Sequence, residues 1–270
     1  MKFKYLIIVG LLLHNWSNFA TVYYVKADAT GTQNGLSWDN AFTDLQSALS
    51  IAVYGDEIWV AYGQYKTTQT TDRDISFVLK DGVNLYGSFS GVETTVNQRD
   101  LSNLTTVLNG DIGQTGDDND NTKHILSGSN ITSNIIIDGF KIINAKGDYE
   151  GGGLFYKLSN SGHLSLKNCY FYNDKSIYRG GAVYISKSHV SIENCTFVGN
   201  RTTSGGDGGA VYNDRNSTIE IIDSKFIGNY SRRGAAVYSL GTVQSLTIDR
   251  CVFTNNTSPY CIIFLFSALF

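Results

Sequence analysis

The stretch Ile192-Glu193-Asn194-Cys195-Thr196-Phe197-Val198-Gly199-Asn200, followed eight residues later by Gly208-Gly209-Ala210-Val211, decides the fold because the chain keeps rewriting it. Its first part recurs as Ile137-Asp138-Gly139-Phe140-Lys141-Ile142, Leu166-Lys167-Asn168-Cys169-Tyr170-Phe171, Ile221-Ile222-Asp223-Ser224-Lys225-Phe226 and Ile248-Asp249-Arg250-Cys251-Val252-Phe253. In chain order the first residues of the five units step by 29, 26, 29 and 27. The glycine motif recurs as Gly151-Gly152-Gly153-Leu154, Gly180-Gly181-Ala182-Val183 and Gly234-Ala235-Ala236-Val237. A period this long, filled by short alternating apolar runs without helical spacing, requires a coil of stacked strands.

Side-chain parity describes one rung. Successive residues of a strand point to opposite faces. Leu164 and Leu166, Val190 and Ile192, Ile219 and Ile221, and Leu246 and Ile248 are each two apart, around Ser165, Ser191, Glu220 and Thr247. One face is therefore buried and the other wet. The parity flips across Asn168, Asn194, Asp223 and Arg250, which makes Cys169 with Phe171, Cys195 with Phe197, Ser224 with Phe226 and Cys251 with Phe253 the next inward pairs. Asn and Asp tolerate left-handed backbone and suit such corners, and the paired glycines supply a further bend. Each rung thus has about three short strands, and five rungs stacked at ~4.8 Å make a column roughly 24 Å tall.

Phe197-Val198-Gly199-Asn200 before Gly208-Gly209-Ala210-Val211, Phe226-Ile227-Gly228-Asn229 before Gly234-Ala235-Ala236-Val237, and Phe253-Thr254-Asn255-Asn256 resemble the FxxN and GGA(I/L/V) repeats of the polymorphic outer-membrane protein family. The resemblance covers about Ile137 to Asn256. It implies a right-handed parallel β-helix of the pectin-lyase-like class, presented outside a bacterial cell, commonly with an adhesive role. The structural repeat residues of the chain are Cys169, Phe171, Gly180, Gly181, Cys195, Phe197, Asn200, Gly208, Gly209, Phe226, Asn229, Cys251, Phe253 and Asn256. Two departures stand out: Phe171-Tyr172-Asn173-Asp174 lacks the final Asn, and no membrane-embedded barrel sequence follows.

The chain begins with basic Met1-Lys2-Phe3-Lys4, an apolar run from Tyr5 to Leu13, and polar residues before Ala20, the shape of a secretory signal peptide over residues 1–20. Its apolar run is too short for a spanning helix, which needs about 20 residues. Residues 21–257 read as one structural domain, with an N-terminal cap and irregular early rungs over 21–125 and regular repeats over 126–257. In the cap, Ala41, Phe42, Leu45, Ala48, Leu49 and Ala52 recur at helical spacing with Asn40 as N-cap, predicting an amphipathic helix that lids the coil. Gly55 to Gly63 reads as a turn and the first strand, and Val83 to Gly87 and Thr106 to Leu108 continue less regularly. With Tyr24-Val25, Gly31, Gly35, Ser37-Trp38 and Leu45-Gln46, this region resembles the opening of many secreted bacterial β-helix proteins. After Asn256 the repeat breaks into the apolar tail 258–270, read either as a truncated or frame-shifted continuation or as a plug over the last rung.

A formal charge of −3 with no basic patch speaks against nucleic-acid binding, and Arg232-Arg233 reads as a solvated corner. Cys169, Cys195 and Cys251 share one register position and read as an inward stack of reduced thiols, because rungs ~4.8 Å apart lie slightly beyond disulfide geometry. None of the four cysteines has a Cys or His at zinc-ligand spacing. Oxygen ligands crowd between Asp111 and Asn121, where Asp111, Asp117, Asp118 and Asp120 are candidate calcium ligands. No Glu closes the loop as in an EF-hand, and a solvated acidic loop is the plainer reading. No other cofactor is implied.

A lyase or glycosidase on this fold needs acids and bases converging on one groove. The outward candidates Arg201, Asp207, Asp214, Arg215, Glu220 and Lys225 form no set, Glu193 and Glu220 read as one exposed row with Lys167 and Asp249, and His124, His163 and His189 read as isolated. The expectation is an exported, non-catalytic, secreted or cell-surface module of adhesin-like or structural type. It would contact extracellular glycans or host or neighbour-cell receptors through Tyr and Asn rows, with a polysaccharide lyase or glycosidase as the alternative.

Overall fold

The computed structural model describes residues 20–240 and 246–265, so the signal-peptide expectation falls outside the described residues apart from Ala20. The chain is a parallel β-solenoid. Its second sheet holds seven strands, one per rung: Gly63–Lys66, Thr106–Asn109, Lys141–Ile143, Tyr170–Tyr172, Thr196–Val198, Lys225–Ile227 and Val252–Thr254. A thirteen-stranded first sheet and a short third sheet of Lys146–Gly147, Lys175–Ser176 and Arg201–Thr202 complete the wall. Every pairing among the described residues is parallel, and the repeats fall into register as side-chain parity requires: Leu166 opposite Ile137 and Ile192, and Phe197 opposite Phe171 and Phe226.

The corners are where the parity flips. Asn168, Asn194, Asp223 and Arg250 have φ of 48°, 51°, 50° and 47°, and one strand later Asn144, Asn173, Gly199, Gly228 and Asn255 are again left-handed. Side chains bond up the column at these bends. Asn194 Nδ2 donates to Asn168 Oδ1 at 2.7 Å, and Asn168 Nδ2 donates to Asp138 Oδ1 at 2.7 Å. Inside the coil, Phe171, Phe197, Phe226 and Phe253 stack face to face with centroids 4.8 to 5.0 Å apart, which is the rung spacing itself. Cys169 and Cys195 are buried free thiols beside this stack.

The terminal Asn of each repeat is fully or almost fully buried and bonds main chain to main chain across rungs. Asn200 Nδ2 donates to Phe171 O at 3.1 Å, Asn229 Nδ2 to Phe197 O at 3.0 Å and Asn256 Nδ2 to Phe226 O at 2.8 Å. Their side-chain oxygens accept the backbone N–H of Asp174, Asn200 and Asn229 in turn. Asp174 fills the same position one rung earlier, with Oδ1 accepting Ala145 N at 2.9 Å.

Three expectations change in detail. The helix is shorter than its apolar spacing suggested, Leu45–Ile51, and its N-cap is Asp44, whose side chain accepts Ser47 N at 2.8 Å. Asn40 instead accepts Thr32 N, and Phe42 bridges Val25 in extended backbone, so Ala41 and Phe42 belong to the sheet edge. The first strand is Val22–Val25, which pairs with Glu57–Ala61. Finally, the tail keeps the repeat for another step: Ile263–Leu265 pairs in parallel with Val237–Ser239, and Phe264 stacks on Tyr238 at 4.8 Å.

Candidate functional site

The turn that precedes each glycine pair builds the most chemically varied surface of the coil. Gly151, Gly180, Gly208 and Gly234 all take positive φ, 51° to 68°, and reverse the chain out of the third-sheet side. The second glycine has no room for a side chain, since a Cβ on Gly181 would lie 2.3 Å from Gly209 O. Side chains just before the pairs are therefore thrown outward and held in register: Glu150, Arg179, Asp207 and Arg233 form consecutive parallel bridges. Together with Tyr149, Tyr178, Gly205, Gly206 and Arg232 they line a groove of about 400 Å³.

One wall of this groove is aromatic. Tyr149 and Tyr178 stack with centroids 6.0 Å apart and are 67 % and 48 % exposed. Gly206 takes the next place in that column, its backbone against Tyr178 O, so the aromatic row ends in a notch before Arg232. The floor carries alternating charge. Arg179 Nη1 lies 3.1 Å from Glu150 Oε1, and Arg233 grips Asp207 with two bonds of 2.9 and 2.5 Å. Arg232 approaches Asp207 only to 3.7 Å and is half-exposed, which leaves its guanidinium as the cation least committed to a protein partner in the groove.

The arginines are themselves seated on a second aromatic column. His124, Phe155, Tyr184, Tyr212, Tyr238 and Phe264 stack in succession at 4.7 to 5.7 Å, with Arg179 over Tyr212 at 5.5 Å and Arg233 over Tyr238 at 5.2 Å. Burial, then the nearby Asp214 carboxylate, pushes the Tyr184 phenol up to about 12, and its hydroxyl donates to Asp214 at 2.9 Å. The Tyr184 phenol therefore stays protonated at neutral pH, and the column fixes where the guanidinium groups point.

A family model described as a protein of unknown function, DUF1565, matches residues 28–257, nearly the whole of the coil. The chain belongs to the DUF1565 family. No curated protein and no solved structure matches it.

The DUF1565 coil scatters most of the outward candidates. Glu220 is on the first sheet, Lys225 on the second and Arg201 on the third, all exposed, while Asp214 and Arg215 lie on the loop after Val211–Asn213. Only Asp207 enters the groove. The charged row is also different from the one expected: Lys167 faces Glu193, with Nζ and Oε2 2.8 Å apart, but the row continues through Ile222 to Asp249, and Glu220 lines up with Ser191 and Thr247 instead. His163 and His189 are direct cross-strand partners rather than isolated, and burial followed by the His189 charge holds the His163 imidazole below its usual value. His124 is partly buried and stacks on Phe155, with Nδ1 2.7 Å from Gly151 O. Arg232-Arg233, read as a solvated corner, borders the groove.

The acidic loop is compact. Asp118 pairs with the buried Lys175 and Asp117 Oδ1 accepts Asn119 N at 2.9 Å. Asp111 Oδ2 accepts Gly116 N at 3.0 Å and Asp120 Oδ2 accepts Gln114 N at 2.6 Å. Among the described residues no three His, Cys, Asp or Glu side chains converge as a metal cluster, and no helix is long and apolar enough to cross a membrane.

Proposed function

We propose that this DUF1565 protein is an exported, non-catalytic β-helix that acts as a surface or adhesin-like module and holds an extracellular glycan in the Tyr149–Tyr178 groove. The observation that carries this reading is the pairing of two exposed, stacked tyrosines with a floor of arginine and carboxylate groups. Sugar rings offer apolar C–H faces that lie on aromatic rings, and hydroxyls that both donate and accept; a groove with one aromatic wall and a few convergent polar groups meets both needs. The rung spacing adds a geometric argument, because a row that repeats every ~4.8 Å along the coil suits an extended polymer better than a compact ligand.

Export is supported by the basic, apolar and polar succession of the first 20 residues. A right-handed coil of the pectin-lyase-like class, akin to the polymorphic outer-membrane protein repeats, is supported by the strong right-handed preference of parallel crossovers and by the buried Asn of each FxxN unit. The helix Leu45–Ile51 serves as the lid of the first rung, since its Leu45, Ala48 and Leu49 are buried in the main core.

The alternative, a carbohydrate-active enzyme, draws on Glu150 and Asp207 sharing the groove two rungs apart, roughly 10 Å. A glycosidase needs an acid and a base flanking the scissile bond, and here each carboxylate is already held by arginine. The test is a glycan array probed with the folded chain and with a Tyr149→Ala/Tyr178→Ala variant. Binding to an extended glycan that disappears in the variant is expected. A folded wild-type chain at background, or release of reducing or unsaturated ends from a polysaccharide panel, would overturn the reading.

A further inference from the structure

We propose that the loop 110–122 binds one calcium ion through the side-chain oxygens of Asp111, Asp120 and Asn121. Three oxygens of this short loop, Asp111 Oδ1, Asp120 Oδ1 and Asn121 Oδ1, are shut off from solvent and have no hydrogen-bond partner. Asn121 as a whole is only 3 % exposed. Native proteins leave few buried polar groups unsatisfied, so three in one loop mark a place for a group that the protein atoms do not supply.

Hydrogen bonds fold the loop back on itself around these residues. Ile112 N and Thr122 N both donate to Gly110 O, at 2.9 and 2.8 Å, which closes the loop at its base and places Asp111 and Asn121 on its two sides. Each aspartate is oriented by its other oxygen: Asp111 Oδ2 holds Gly116 N and Asp120 Oδ2 holds Gln114 N. Gly113 comes so close to Asp120 Oδ2 that a Cβ there would lie 2.4 Å away, so the chain wraps the carboxylate with no side chain between. Among the described residues neither Asp111 nor Asp120 forms an ion pair, whereas Asp118, next in the loop, is paired with Lys175.

The chemistry selects the ion. All three donors are hard oxygens, two of them carboxylates, and the Asn amide cannot stand in for the His or Cys that zinc prefers. Calcium takes six to eight oxygens in a tolerant geometry and completes its shell with main-chain carbonyls and water, whereas magnesium demands a stricter octahedron. A site with two carboxylates lies at the weak end of calcium affinities, with half-saturation on the order of 0.1–1 mM.

The test is calorimetric titration of the EDTA-treated full chain with calcium chloride, with magnesium chloride as the comparison ion. One site in that range is expected, together with a melting temperature raised by several degrees in 10 mM calcium. Asp111→Asn/Asp120→Asn should weaken binding at least ~10-fold, and Asp117→Asn, outside the set, should not. Hydrogen exchange on the wild-type chain removes dependence on the variant's folding: calcium should slow amides within 111–121 and leave the other rungs unchanged. No heat and no thermal shift, wild-type affinity in the double variant, or protection elsewhere would overturn the site.

Discussion

Asp174→Asn should make the protein more stable, because Asp174 stands where every later FxxN repeat has asparagine. The residue is fully buried, its Oδ1 accepts Ala145 N, and its Oδ2 has no partner. By the register of the rungs, Oδ2 occupies the place of the Asn200 Nδ2, which donates to the carbonyl of Phe171; the equivalent acceptor for Asp174 is the carbonyl of Ile142. A carboxylate oxygen cannot donate there, but a protonated one can. Burial pushes the Asp174 carboxyl well above the ordinary carboxylate range, opposed by the Ala145 N–H and the charge of Lys175.

The sign follows from which state binds the proton more tightly. The folded pKa is raised, so the folded state is favoured below the unfolded value near 4, and stability falls as pH rises from there to the folded pKa. Each unit of elevation removes about 1.4 kcal/mol at higher pH. Replacing the acid with an amide abolishes that loss and adds a main-chain hydrogen bond worth about 1 kcal/mol. The variant is therefore expected to be the more stable at pH 7 by at least about 1 kcal/mol, or roughly 2–4 °C in melting temperature for a domain of this size. Urea melts of both proteins at intervals from pH 4 to 8 provide the assay. The difference should grow with pH from ~4 until Asp174 ionises in the folded state. A variant less stable than the parent at pH 7, or two profiles that run parallel across this range, would refute the reasoning.

Removing a middle rung of the phenylalanine stack by Phe197→Ala should cost about 3–5 kcal/mol, because both flanking rings lose a partner at 4.8 to 4.9 Å; a denaturant midpoint unchanged from wild type would contradict this. Asn229→Ala deprives Phe197 O of its donor and Asn200 N of its acceptor, so a loss of about 3 kcal/mol or more is expected from the same melts. Gly181→Ala places a methyl against Gly209 O and Arg201 N and should destabilise by about 3 kcal/mol, read as a lowered melting temperature. All four cysteines are free, so thiol titration of the unfolded, unreduced chain should count four, while Cys169 and Cys195 in the folded chain should resist alkylation.

The coil itself was legible because its signal is redundant. Parity within each strand, Asn or Asp at most of the flips, and glycine motifs 13 to 16 residues after the start of each of the first four units all point to the same rung, and the register of Phe171, Phe197 and Phe226 follows from them. Where only one signal exists, sequence pattern and structure part. Helical spacing alone extended the helix back to Ala41, although Asp44 is the residue with extended backbone and a side chain free to accept Ser47 N. Charge alone groups Glu220 with Glu193, yet counting from Ile192 and Ile221 aligns Glu193 with Ile222. After Asn256 no glycine pair marks a further rung, yet Phe264, 26 residues after Tyr238, stacks on it.

The groove was harder to see for a physical reason. Its residues precede the glycine pairs, where type varies from rung to rung: Tyr149-Glu150, Tyr178-Arg179, Gly206-Asp207 and Arg232-Arg233. No repeat pattern marks them, and only the strand register shows that they form a continuous wall and floor. One sequence signal did exist: an aromatic follows each glycine motif, as Phe155, Tyr184, Tyr212 and Tyr238, and this column carries the arginines. Burial of the orphaned oxygens in the loop 110–122 has no sequence counterpart, since Asp and Asn occur equally in solvated turns.

Hydrogen exchange on the full chain, with and without an array-positive glycan at saturating concentration, tests the binding groove most directly. Protection is expected in four segments one rung apart, 149–152, 178–181, 205–208 and 232–234, and to be absent when Tyr149 and Tyr178 are alanine. Protection confined to the exposed faces of the first or second sheet, or equal protection in the alanine variant, would contradict the account.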